Sequence, residues 1–142
     1  LAADSISALE LARSHARLGL ITDGPAQSQW NKIRVLGIED YFDVVVVTAD
    51  IGASKPDRMA FEAVGAPSGA SVAYVGDNPR KDFDTPRSMG WTVARVRRVG
   101  GLHFDATSQN VGVFDTALAA TTWTVGELER DSDAARRGEQ MH

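Results

Sequence analysis

Four valines in a row, Val44–Val47 within "FDVVVVTAD", constrain this chain more than any other stretch. Successive side chains of a strand point to opposite faces, so a run that is apolar at every position must be covered on both sides. Such a strand belongs in a parallel sheet with helices above and below it. The rest of the chain repeats the theme. "RLGLIT" reads as a short buried strand ending at Thr22, Val72–Val75 as another, and "WTVARV" as the last clear one. Helical patterns lie between them. Ile6 and Leu9 fit one helical face, with Leu11 and Leu18 as further apolar positions. Gln27–Leu36 places Trp30 and Ile33 on one side and stops at Gly37. Pro56–Val64 is expected to be a helix closed by Gly65, after a loop at "IGAS". "PRKDFDTPRSMG" reads as a short helix interrupted by Pro86. Residues 99–116 are rich in glycine and polar types and read as loop, Thr121–Arg130 as a short strand or helix, and 131–142 as a charged tail that frays. Strands alternating with helices give an α/β fold, with residues 1–130 as its core and no repeat or linker dividing it.

In open parallel sheets, ligands bind beyond the carboxyl ends of the strands. Three strand ends here carry reactive groups. Thr22-Asp23-Gly24 closes the first, Lys55 sits in the loop after the valines, and Asp77 follows the third, with Asp82 one turn further on. Carboxylates suit a hard divalent cation, commonly Mg²⁺, that also touches phosphate oxygens. A lysine adds positive charge to the same oxygens, and a hydroxyl with loop N–H groups donates to the rest. The set reads as a metal-assisted phosphate pocket. Taken singly, Thr22 is an ordinary strand-end residue, Lys55 a solvated lysine, Asp77-Asn78-Pro79 a turn and Asp82 a helix-start residue. Their recurrence on successive strand ends is what carries the reading.

Composition excludes other chemistries. The 142 residues contain no cysteine, so disulfides, thiolate metal sites and cysteine nucleophiles are ruled out. The net charge of −4 gives no electrostatic reason to expect a nucleic-acid partner. No apolar run approaches bilayer-spanning length and no signal peptide opens the chain, so no membrane partner and a cytoplasmic location are expected. His15, His103 and His142 are scattered, which speaks against zinc, and Trp30, Trp91 and Trp123 read as packing residues rather than a stacking platform. There is no G-x-G-x-x-G after the first strand and no G-x-S-x-G elbow. A receiver domain carries acid, Thr and Lys in that order, whereas the order here is Thr, Lys, Asp.

"LGLITDG", "GASKPDRMAFEAV" and "YVGDNPRKDF" resemble the second, third and fourth motifs of the haloacid dehalogenase-like (HAD) hydrolases, in the family's order, over roughly Ser5–Val96. The resemblance implies a Rossmann-like core and Mg²⁺-dependent phosphoryl transfer through an aspartyl-phosphate. It implies that Thr22 binds the phosphoryl group with the amides of Asp23 and Gly24. Lys55 would neutralise phosphate and nucleophile. Asp77 would bind Mg²⁺ directly, and Asp82 directly or through water, while Asn78 and Asp84 are left structural. It favours a phosphatase acting on a small phosphorylated metabolite, and the wording also resembles HAD proteins of carbohydrate or sugar-nucleotide pathways.

One family feature is missing. The Asp-x-Asp nucleophile motif should precede "LITDG", and nothing before Thr22 matches it. The Asp131-Ser132-Asp133 stretch follows charged "GELER" rather than a buried strand. The expected core is therefore incomplete, lacking the central nucleophile strand between the strands that end at Thr22 and Asp77. The chain starts at Leu1 rather than Met, and a segment upstream is expected to supply that strand. Failing that, a second copy would pair with the exposed edges. The chain alone is expected to be inactive; the alternative is a degenerate, non-catalytic HAD remnant serving as an interaction module.

Overall fold

The computed structural model describes residues 3–140. Leu1 and His142 lie outside them. Along the chain, helix α1 (Ala3–His15) leads into strand β1 (Gly19–Thr22), and helix α2 (Ala26–Leu36) follows. Gly37 ends α2 in a left-handed conformation at φ 66°, donating back to Arg34 and Ile33 carbonyls as a helix C-cap requires. A 3₁₀ turn (Glu39–Tyr41) precedes β2 (Val44–Val47), the valine run. One helical turn, α3 (Thr48–Ile51), follows directly. Helix α4 (Arg58–Glu62) is shorter than expected, because Asp57 caps it by accepting from the Met59 amide at 2.9 Å and leaves Pro56 outside. Strand β3 (Ala73–Gly76), helix α5 (Asp84–Ser88) and strand β4 (Thr92–Val96) complete the pattern. Pro86 does not interrupt α5. It is buried in the first turn, where a missing N–H leaves no helical bond unmade.

The C-terminal quarter departs from the expectation. The 99–116 segment contains strand β5 (Gly112–Phe114), which pairs parallel with β4, Arg95 opposite Val113. Only three residues long and introduced by glycine, it has too short a pattern to stand out. Phe114 packs on Trp123 with ring centroids 5.5 Å apart. Helix α6 runs from Ala117 to Gln140, absorbing both the ambiguous 121–130 stretch and most of the charged tail. Ala117, Ala120, Thr121, Thr124, Val125 and Leu128 follow the helical period, and the central four of them are buried. The run "TTWTV" hides this period behind residues that favour strands. From Ser132 to Gly138 the helix is exposed, and it carries an Arg136–Asp133 pair at 2.7 Å, one turn apart.

The strands form two parallel sheets rather than one, β1–β2 and β3–β4–β5. Among the described residues, β1 and β3 are not paired with each other, so each is an edge strand. Helices cover both faces. On one side α1 and α2 pack Ile6, Leu9 and Ile33 on Leu20, Val45 and Val47, while α6 packs Ala120 on Ala94 and Val96. On the other, Ala60 and Phe61 of α4 join Ile21 and Val46 of the first sheet to Tyr74 of the second. Phe61 meets Tyr74 and Trp91 edge-on, at 5.2 and 6.1 Å between centroids. One core thus spans the two sheets and holds their carboxyl ends together.

Candidate phosphate and cation site

Each reactive strand end sits where a strand stops and the backbone turns. At the end of β1, Gly24 takes φ 121°, a conformation open to glycine. The Asp23 side chain turns inward. It accepts from the Thr48 hydroxyl at 2.9 Å, the Lys55 amide at 3.2 Å and Lys81 Nζ at 3.3 Å. Burial pushes its pKa up, but those donors, the Lys55 amide foremost, outweigh it and hold the carboxyl below its ordinary value. Thr22 donates its hydroxyl to Gln29 Oε1 of α2 at 2.6 Å.

Lys55 reaches across from the loop after α3. Its Nζ donates to Asp82 Oδ1 at 2.8 Å and to the Tyr74 hydroxyl at 3.2 Å. Tyr74 donates in turn to Asp82 Oδ1 at 3.1 Å. Burial first, then the charge of Asp82, pushes the Tyr74 phenol far above its ordinary pKa, so it stays a donor. Asp82 Oδ2 accepts the backbone amides of Asp77 at 3.1 Å and Asn78 at 2.9 Å. Asp82 is only 2% exposed, and its two oxygens take four donors. The loop can close this tightly only over glycine: a Cβ on Gly76 would lie 2.6 Å from Asp82 Oδ2.

The structure thus gathers Thr22, Asp23, Gly24, Lys55, Asp77 and Asp82 at one end of the sheets, tied by the Lys55–Asp82 and Lys81–Asp23 ion pairs. It separates the two acids of the fourth motif. Asp77 is exposed, whereas the Asp82 carboxylate points back beneath Gly76 toward Lys55. Among the described residues, no three acidic or histidine side chains cluster as a preformed metal cage. Asn78 and Asp84 hold local structure, accepting from the Arg80 amide at 3.0 Å and Arg87 at 2.9 Å.

Sequence reasoning missed Tyr74, Gln29, Lys81 and Arg95. Arg95 stands opposite Gly76 in the β3–β4 register and is 2% exposed. It holds the following loop by donating to Ser108 Oγ, His103 O and Ala106 O at 2.7–3.0 Å. Burial and the neighbouring Arg97 pull its pKa down, with Asp77 opposing them. A tyrosine or arginine inside an apolar strand was the available signal, because a buried polar group needs partners.

Parallel strands carrying these groups at their carboxyl ends place the chain among Rossmann-like α/β proteins. A family model described as haloacid dehalogenase-like hydrolase matches residues 4–96, and the chain belongs to that family. It is 33% identical over 93 residues to a glyceraldehyde 3-phosphate phosphatase of Methanopyrus kandleri, covering 63% of this chain and 40% of that protein. It is 38% identical over 94 residues to a phosphoserine phosphatase of Thermus thermophilus, covering 63% and 37%. A match to the pyrimidine 5'-nucleotidase YjjG of Escherichia coli is 33% identical over 83 residues, covering 56% and 37%. Among solved structures, a HAD phosphatase from Thermococcus onnurineus superimposes with a TM-score of 0.69 at 31% identity, covering 82% of this chain and 54% of that one. The matches span 37–40% of the length of these three curated relatives. Among the described residues, no helix is long and apolar enough to cross a membrane.

Proposed function

We propose that this chain is part of a Mg²⁺-dependent phosphatase that acts on a small phosphorylated metabolite. The observation that carries the reading is the Lys55 ammonium, held by Asp82 and Tyr74 at the sheet end that also bears the Thr22–Gly24 turn. Three relatives named for small phosphate esters support the substrate class.

In this reading the Asp23 and Gly24 amides and the Thr22 hydroxyl bind the phosphoryl oxygens. Lys55 adds charge there, and its ammonium keeps a third N–H free of Asp82 and Tyr74. The exposed carboxylate of Asp77 suits a hard cation such as Mg²⁺. Asp82 has its acceptor positions filled, so its role becomes that of counterion and anchor for Lys55 rather than direct ligand. Bound Mg²⁺ would supply charge neutralisation at the phosphoryl oxygens. The attacking carboxylate is proposed to come from a strand pairing with the free edges of β1 and β3, carried by a segment outside these 142 residues; a second copy of the chain would cover those edges without supplying it. Transfer to that carboxylate breaks the ester P–O bond and releases the metabolite's alcohol, protonated from solvent, leaving an aspartyl-phosphate; water then hydrolyses it to free phosphate and restores the carboxylate.

The test is p-nitrophenyl phosphate hydrolysis with Mg²⁺ by the full-length gene product. Lys55→Ala is expected to lower turnover by about 10²–10³, as for loss of other preorganised charge-stabilising donors. The 142-residue chain alone is expected to show none. Near-normal turnover in Lys55→Ala would overturn the assignment. A full-length product that never turns over would favour the non-catalytic interaction module.

A further inference from the structure

Lys81 joins the site from across the gap between the two sheets. It belongs to the loop after β3, and its Nζ donates at 3.3 Å to Asp23 Oδ2 in the turn after β1. Among the described residues β1 and β3 are not paired, so this ion pair bridges the carboxyl ends of the two sheets. The Lys81 backbone is fixed, since its amide donates to Asn78 O at 3.0 Å and the next residue is the buried Asp82. Its side chain stays 46% exposed.

Asp23 sets an electrostatic problem for its own turn. In the proposed function its amide binds phosphoryl oxygens, yet its carboxylate brings a negative charge to the same residue. That carboxylate is held in place. Its Oδ1 accepts the Thr48 hydroxyl at 2.9 Å and the Lys55 amide at 3.2 Å, and the side chain is only 18% exposed. A fixed anion this close repels a bound phosphate. The Lys55 ammonium is already matched by Asp82 at 2.8 Å. Among the described residues, the ion pair that Asp23 makes is with Lys81.

We infer that Lys81 is a positioning residue for the anion-binding turn: it is the counterion that lets a phosphate dianion bind beside the Asp23 carboxylate. The inference rests on the reading of the Thr22–Gly24 turn as a phosphate site. An ion pair with one partner this exposed adds little to the fold, so the effect of Lys81 falls on the charge of the turn rather than on stability.

The probe is sulfate, titrated into this chain and followed through the Asp23 and Gly24 backbone amides by NMR. Lys81→Met is expected to weaken sulfate about threefold or more at low salt, the effect of one unit charge on a nearby dianion in a wet site. Lys81→Arg keeps the charge and should bind within about twofold of the unsubstituted chain. Asp23→Asn keeps an acceptor for Thr48 and the Lys55 amide but removes the negative charge. Added to Lys81→Met, it should bring the Kd back to within about twofold of the unsubstituted chain, because the two charge changes cancel. The Lys81→Met loss should also shrink as salt is raised to about 0.5 M, and the melting temperature should stay within about 2 °C. An unchanged sulfate Kd in Lys81→Met would overturn the inference. So would a double variant as weak as Lys81→Met, since Lys81 would then act without Asp23. A loss that ignores salt, or that comes with a larger fall in melting temperature, would mark a structural prop and overturn it as well. No shift at Asp23 or Gly24 in the unsubstituted chain would remove the phosphate-pocket reading itself, and this inference with it.

Discussion

Replacing Asp82 by asparagine is expected to cost the fold about 3–5 kcal/mol, the range for removing one partner of a buried ion pair. The structure gives an independent route to that magnitude. The four donors on Asp82 are Lys55 Nζ at 2.8 Å, the Tyr74 hydroxyl at 3.1 Å, and the Asp77 and Asn78 amides at 3.1 and 2.9 Å. An asparagine must point its NH₂ at one of these pairs. Facing the backbone, it leaves two part-buried N–H groups without their acceptor, at up to about 1–3 kcal/mol each. Facing Lys55, it sets a donor against an ammonium that is only 13% exposed. Either choice removes a large share of the roughly 5–15 kcal/mol that a domain has in total. Urea unfolding of the 142-residue chain, followed by far-UV circular dichroism, measures the loss as a fall in midpoint at constant slope. Asp77→Asn is the control, since that carboxylate is exposed, and it should change stability by no more than about 0.5 kcal/mol. Equal, small effects for the two variants, both under about 1 kcal/mol, would refute the division of labour between the two acids.

Three further outcomes follow from the same contacts. Gly76→Ala should destabilise the fold by about 1–3 kcal/mol in thermal melts, because the added methyl meets a fixed Asp82 oxygen at 2.6 Å; an unchanged melt would mean the loop yields freely. The Tyr74 phenol should resist ionisation well above the ordinary tyrosine range while the chain stays folded, and Tyr74→Phe should remove that late-titrating phenolate absorbance; an ordinary titration would show that the hydroxyl is not buried beside Asp82. The folded-state pKa of Asp23 lies below the ordinary aspartate value of 3.8, so its contribution is present above that value and is lost as pH falls through the folded one. Stability measured from pH 5 downward should therefore fall less steeply below about pH 4 in Asp23→Asn than in the unsubstituted chain, and identical slopes would contradict this.

The β1, β2, β3 and β4 strands were legible because each is a short, mostly apolar run, a signal that burial enforces in β2 and β4, whereas β3 is only part-covered and leaves Val75 exposed, contrary to the expectation of a buried strand there. That fixed which residues meet at the carboxyl ends, so Thr22, Lys55 and Asp77 could be grouped from sequence. The direction of the Asp82 side chain could not. Spacing alone puts two carboxylates on one loop, while direction depends on how the loop closes, and it closes inward over Gly76. The glycine was the visible clue, since only a missing side chain admits that approach. Tyr74 looked like one more apolar strand residue, yet its hydroxyl shares Asp82 with Lys55. Helix α6 was obscured by threonines, whose strand preference was overridden by packing of the 120, 121, 124 and 125 positions. The division into two sheets agrees with the expected gap, because among the described residues β1 and β3, the strands it would lie between, each keep an unpaired edge.

The proposed cation would sit at Asp77, at the sheet end where Lys55 and the Thr22–Gly24 turn converge. Paramagnetic broadening by Mn²⁺, used as a Mg²⁺ substitute in amide NMR spectra of this chain, tests it most directly. Selective broadening of Asp77 and Asn78 is expected, reaching Asp23 and Gly24 when phosphate is added, and lost in Asp77→Asn. Broadening centred on Asp131 and Asp133 of α6, or unchanged by that substitution, would contradict it.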